Sequence, residues 1–141
     1  SDRLCMDKPP RIKPKLRAAP KIRNIYWCDF WEDVMLPEMW KKRPVLVVSY
    51  KNTLSGPCSV LAISTDPQEG LSEEWGYKLP IQVQKGRDSW VVCNHIYTVS
   101  PSRLEQVGGG VLRLDEPNFN SILEKMFTWL PRIPDPTFDL G

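Results

Sequence analysis

From Ile25 to Leu114 the chain is built of short runs rich in β-branched and aromatic residues, each broken by Gly, Pro, Asn or Asp. Runs of this length and composition form strands. The pattern predicts strands at IYWCDF (25–30), VLVVSY (45–50), CSVLAIS (58–64), YKLPIQV (77–83), SWVVCNHIY (89–97) and GVLRL (110–114). The second and third are almost continuously apolar, which predicts a central position with both faces covered. Between them KNTLSGP reads as a hairpin connection, with Asn52 and Gly56 as turn formers.

The periodicity then changes. Phe119, Ile122, Leu123, Met126, Phe127 and Leu130 recur at spacings of three and four, one stripe of an amphipathic helix. Asp115 can cap its start, Pro117 is tolerated in its first turn, and Pro131 marks its end. Five to seven short strands closed by one C-terminal helix predict a mainly β chain of the SH3-like barrel class. Such a fold hosts unrelated activities, so function has to be argued from a site.

At 141 residues the chain suits one domain. No apolar run approaches the roughly 20 residues needed to cross a bilayer. The first segment, SDRLCMDKPPRIKPKLRAAPKIR, is charged and proline-rich without the apolar stretch of a secretory signal, and a cytoplasmic protein is expected. Cys5, Cys28, Cys58 and Cys93 lie far apart, with no C-x-x-C pair and one histidine to join them, a poor set of metal ligands. Cys28, Cys58 and Cys93 stand in strand-like apolar runs and read as small buried hydrophobes. No cofactor is expected.

The net charge of +2 hides an asymmetry, because residues 1–23 hold eight Lys or Arg against two Asp. With Pro9, Pro10, Pro14 and Pro20, this segment is expected to be an extended arm. Composition leaves two roles open, a polyanion-binding arm that gains affinity by counterion release and a solubilising tail. The expected organisation is therefore an arm over 1–23, one domain over 24–131 and a loose tail over 132–141.

Four places carry candidate chemistry. In LPEMWKKRP, Glu38, Trp40, Lys41, Lys42 and Arg43 crowd a loop and the mouth of a strand. Arg43 is the most constrained of its cations, since a residue before proline is driven to extended geometry. A guanidinium held this way can grip a phosphate with two hydrogen bonds, although charge at a strand edge also serves simply to block aggregation. In ISTDP, Ser64 and Thr65 could donate to a phosphate oxygen, or bond the local backbone. In CNHIYTVSPSRL, Asn94, His95, Tyr97 and Arg103 lie together, and histidine is the side-chain type suited to proton transfer near neutrality. A lone strand histidine is more commonly structural. In SEEWGYKLP, Trp75 and Tyr77 could stack on unpaired bases or cover the end of the barrel.

Taken in order, these segments resemble the MazF/PemK family of toxin endoribonucleases. IYWCDF resembles the family's I-x-W-x-D strand. Glu38 and Arg43 stand as a glutamate five residues before the arginine of its R-P-V-L-V-V-S strand. VLAIST resembles the strand ending in a hydroxyl pair, and CNHIYTVSPSRL resembles D-Q-I-R-T-V-D-x-S-R-L. The match spans roughly Ile25 to Val107. It implies a MazF-like and CcdB-like barrel, a homodimer, metal-independent cleavage of single-stranded RNA to 2′,3′-cyclic phosphate and 5′-hydroxyl ends, and neutralisation by a cognate antitoxin. It also implies roles: Arg43 as cationic acid or phosphate stabiliser, Ser64 in place of a threonine hydroxyl, and Glu38 as the loop carboxylate. RNA contacts would fall to Trp40, Lys41, Lys42, Thr65, Asn94 and Tyr97.

The chain departs from the pattern where Asp-Gln-x-Arg becomes Asn94, His95, Ile96 and Tyr97. A carboxylate and an arginine are lost there, and His95 is expected to take over proton transfer or base contact. Two other readings stay open: a CcdB-like toxin that binds DNA gyrase without cleaving anything, and a barrel that binds RNA without cutting it. The first predicts exposed aromatic anchors on the C-terminal helix.

Overall fold

The computed structural model describes residues 15–29, 42–65, 74–108 and 110–131. Among these residues seven strands form one antiparallel sheet: β1 (Asn24–Asp29), β2 (Lys42–Val47), β3 (Cys58–Ser64), β4 (Gly76–Lys78), β5 (Trp90–Val99), β6 (Leu104–Gln106) and β7 (Leu112–Arg113). The helix α1 (Glu116–Trp129) follows. Strand order is β4-β5-β3-β2-β1-β6, with β7 also paired to β1. Among the described residues, no ladder joins β4 back to β6, so the pairing path stays open.

β3 and β2 stand at the centre, as their unbroken apolar character predicts. Val45, Leu46, Val47, Val60 and Leu61 are all fully buried. Each such side chain contributes roughly 1.5–3 kcal/mol by leaving water. Alternation sorts these strands onto two faces. One face carries Tyr26, Cys28, Val45, Val47, Val60 and Ala62, and Leu16 from the preceding segment packs over it. The other carries Ile25, Leu46, Leu61, Ile63 and Val91, covered by Phe119, Ile122 and Met126 of α1.

Strand boundaries shift from the sequence expectation where side-chain chemistry gives no signal. β2 begins at Lys42 and ends at Val47; beyond it the Ser59 amide donates to the Ser49 side-chain Oγ at 2.9 Å, and Ser49 Oγ donates to Asn52 Oδ1 at 2.6 Å to start the turn. The fourth strand stops at Lys78. Pro80 lacks the N–H a longer strand needs, and Leu79 and Val83 turn into the core instead. The last expected strand shortens to Leu112–Arg113, and the three-residue β6 was not expected at all. β6 follows the short helical turn Pro101–Arg103, which Ser100 caps.

The helix forms where its pattern predicts, with Phe119, Ile122 and Met126 buried, but Phe127 and Leu130, read as part of the same apolar stripe, are exposed because the sheet covers only the narrower face. The Asn118 amide donates to Asp115 Oδ2 at 3.0 Å, and Pro117 lies in the first turn. The cap's hydrogen bonds, led by that amide, hold the Asp115 carboxyl below its ordinary pKa. Cys28, Cys58 and Cys93 are free and buried, as their setting predicts, and desolvation pushes their thiols up to about 12, 11 and 11. No described helix is long and apolar enough to cross a membrane.

Candidate functional site

Arg43 is the second residue of β2, paired with Cys28 of β1, while Lys42 pairs with Asp29. It shares a strand parity with Val45 and Val47, so it sits at the end of the face that carries them. Pro44 behind it is buried and fixes extended geometry. The Arg43 side chain is half-buried, and its Nε is shielded from solvent without a hydrogen-bond partner among the described residues. A shielded donor of this kind calls for an acceptor.

Ser64 closes β3. The β2–β3 ladder sets Val45 against Ala62 and Val47 against Val60. Continuing that register by two residues brings Ser64 to the level of Arg43. Thr65 follows, half-buried. The two hydroxyls and the guanidinium therefore share one end of the central strands.

The third segment reaches the same face through an irregularity. Leu61 pairs with Ile96 and Ile63 with Val91, so two steps along β3 are matched by five along β5. The surplus is a bulge, a device that re-aims side chains and recurs beside active sites. Asn94 and His95 lie in it, level with Ala62, and both are half-buried. The His95 ring stands edge-on to Tyr97, with centroids 6.4 Å apart. Tyr97 itself lies opposite Val60 and packs on the core, further from Arg43.

Lys42 is less available than the sequence suggests. It is ion-paired with Glu105, which also meets Lys15 at 3.5 Å. Glu38, Trp40 and Lys41 lie outside the described residues. Trp75 and Tyr77 take the covering role: Trp75 meets Trp129 edge-on at 5.3 Å, and the Tyr77 hydroxyl donates to Asn118 Oδ1 at 2.5 Å. Arg103 is the residue that reading by segments left unassigned. Leu104, the next residue, pairs with Cys28, which in turn faces Arg43, so Arg103 stands at the Arg43 end of the sheet, where its positive charge opposes the desolvation that raises the Cys28 thiol. The S-R-L match was its one signal.

Three described groups thus lie toward one end of the central strands: a constrained guanidinium, a hydroxyl level with it, and, two residues back along β3 at Ala62, a bulge carrying an imidazole and an amide. Side chains of these types are the ones that hold phosphates and move protons. Among the described residues, no group of three or more His, Cys, Asp and Glu could hold a metal ion.

No curated relative matches the chain. Solved structures do. MazF from Deinococcus radiodurans superposes with a TM-score of 0.62 at 17% identity, covering 78% of this chain and 94% of that one. The MazE–MazF complex of the same organism gives 0.59 at 18%, covering 78% and 94%. A mycobacterial endoribonuclease bound to its cognate antitoxin gives 0.59 at 18%, covering 82% and 100%. These likenesses establish the fold, a MazF-like sheet with a C-terminal helix. A family model described as PemK-like, MazF-like toxin of type II toxin–antitoxin system matches residues 21–128, and the chain belongs to that family.

Proposed function

We propose that the protein is a sequence-selective, metal-independent endoribonuclease that cleaves single-stranded RNA. In this reading RNA supplies its own nucleophile. The 2′-hydroxyl oxygen bonds to the adjacent phosphorus, the bond from phosphorus to the 5′-oxygen breaks, and a 2′,3′-cyclic phosphate and a 5′-hydroxyl result. The enzyme has to accept the proton of the 2′-hydroxyl, return one to the leaving oxygen, and stabilise charge on the phosphate.

The observation that carries the reading is Arg43, whose shielded Nε finds no partner among the described residues at the mouth of a buried strand. In this role the guanidinium grips the non-bridging oxygens, with Ser64 donating beside it. His95 and Glu38 are the proton-transfer candidates, His95 from the bulge in β5 and Glu38 from the loop before β2. Membership of the toxin family adds the setting, a homodimer held inactive by a cognate antitoxin. The mycobacterial relative solved with its antitoxin supports that setting.

A second reading has one observation in its favour. A gyrase-binding toxin predicts exposed aromatics on the C-terminal helix, and Phe127 and Trp129 are 53% and 52% exposed. Incubating a long single-stranded RNA in EDTA with the protein, and with Arg43→Ala, separates the readings. Discrete cuts with cyclic-phosphate ends, lost on substitution, are expected. RNA that is shifted but intact would support a non-cleaving binder, and RNA left untouched together with inhibited gyrase would support the second reading.

A further inference from the structure

At the far end of the Arg43 face, the chain builds a groove that the cleavage site does not use. Two adjoining hollows of about 330 and 260 Å³ share Ala18, Ala19, Lys21 and Arg113. Arg17 lines one and Lys51 the other, and among the described residues no carboxylate lines either. These four cations are exposed, and none is ion-paired with a described residue. By contrast Lys15, Arg23, Lys42 and Lys78 all have acidic partners.

The groove is held open by built contacts rather than by chance packing. Asn52 Nδ2 donates to the Pro20 carbonyl at 2.9 Å and to the Ser49 carbonyl at 2.8 Å, tying the hairpin to the segment before β1. The Arg23 amide donates to the Val47 carbonyl at 2.9 Å, and the Leu114 amide donates to the Arg23 carbonyl at 2.9 Å. Two further features point to the kind of ligand. Tyr50, 76% exposed, stands on the wall beside Lys51 as a free aromatic face. Asn24, 3% exposed, lines the inner hollow; its Nδ2 donates to the Tyr26 hydroxyl at 2.9 Å, but its Oδ1 is buried without a partner among the described residues.

We propose that this groove is a second binding site for single-stranded RNA, separate from the cleavage site. The cations take phosphates, Tyr50 stacks on a base, and Asn24 Oδ1 accepts a hydrogen bond from a base N–H. An acidic peptide would use the cations but gain little from Tyr50, whereas every base of a single strand offers a face to stack on it. The groove and Arg43 bracket one face of β2, about 20 Å apart along the strand, a span of roughly six stacked nucleotides. RNA held at both ends would be long.

The proposal takes its ligand from the RNA-cleaving reading, and the test separates the two. Binding of a fluorescein-labelled, 2′-fluoro oligouridine of 24 nucleotides, which has no 2′-hydroxyl to attack, is followed by anisotropy at several salt concentrations. The chain with Arg17→Gln, Lys21→Gln, Lys51→Gln and Arg113→Gln together is expected to bind it at least ~100-fold more weakly, with the salt slope reduced by about 3. Tyr50→Ala is expected to weaken binding by roughly 10-fold. A three-nucleotide probe, too short to reach from Arg43 to the groove, should lose much less, and circular dichroism should report an unchanged fold. The fourfold variant should still give discrete cuts in unlabelled RNA at saturation, with a raised KM. Unchanged affinity and slope in the fourfold variant would overturn the groove while leaving cleavage intact. So would loss of polyglutamate binding alone. Loss of oligouridine binding in a protein that never cuts RNA would uphold the groove and overturn the nuclease.

Discussion

Arg43 and Cys28 face each other across the ladder joining β2 to β1, and the Cys28 thiol, fully buried, is pushed up to about 12 by desolvation. A guanidinium thus stands at the edge of a dry neighbourhood, where a hydrogen bond to an anion is stronger than in water. Replacing Arg43 with Ala is expected to lower kcat for RNA cleavage by 10²–10³-fold, the scale of losing one charge-stabilising donor group. Arg43→Lys should recover only part of it, because an ammonium lacks the planar fork. Single-turnover cleavage at saturating RNA checks both.

His95 separates two kinds of involvement. If it moves a proton, His95→Ala should cost on the order of 10²-fold or more in kcat and remove one limb of its pH profile. His95→Gln, which keeps hydrogen bonding but not titration, should not restore that limb. A profile identical to that of the parent chain, with full activity in His95→Ala, would sink the assignment and leave the ring as a packing partner of Tyr97.

The three buried thiols give a stability prediction whose sign follows from their direction. Their pKa values are raised in the fold, to about 12, 11 and 11 from an ordinary value near 9, so the folded state holds protons that the unfolded chain releases. Their contribution is complete below about pH 9 and is lost as pH rises toward 11 and 12. The urea midpoint should fall across that window. In a Cys5→Ser background, the three native thiols should react with a thiol reagent at pH 8 at least ~100-fold more slowly than in urea.

The helix separates core from surface. Ile122, fully buried against the sheet, is expected to cost about 2–5 kcal/mol when changed to Ala. Phe127→Ser on the exposed side of the same helix should cost no more than about 0.5 kcal/mol. Urea unfolding of the two variants measures the difference.

The Asp115 cap adds an acid dependence. Its carboxyl is held below the ordinary range, first by the Asn118 amide, so its stabilisation is present above the unfolded pKa and lost as pH falls through the folded one. Asp115→Asn should lower the thermal midpoint at pH 7 less than Asp115→Ala, since Asn also caps, and both should flatten the loss of stability below pH 4.

Local chemistry was sufficient for the elements. The Asp115 cap, the helix stripe and the Cys58–Ser64 strand are each decided within a few residues, by propensity and by periodicity, and these are legible in a single sequence. The R-P-V-L-V-V-S match likewise put Arg43 at the mouth of a strand. What tertiary structure decided depends on residues far apart. Ser64 comes level with Arg43 through a ladder register, and Asn94 and His95 are turned by a bulge whose surplus residues exist only relative to β3. The ion pair of Lys42 with Glu105 needs β6, a strand too short to leave a pattern. The basic groove draws on Arg17, Lys51 and Arg113, which are separated by most of the chain and converge only where the hairpin, β7 and the first described residues meet. Charge composition fixed the number of cations, but only the packing of the sheet decided which of them stand without an acidic neighbour, because that is a matter of distance through space.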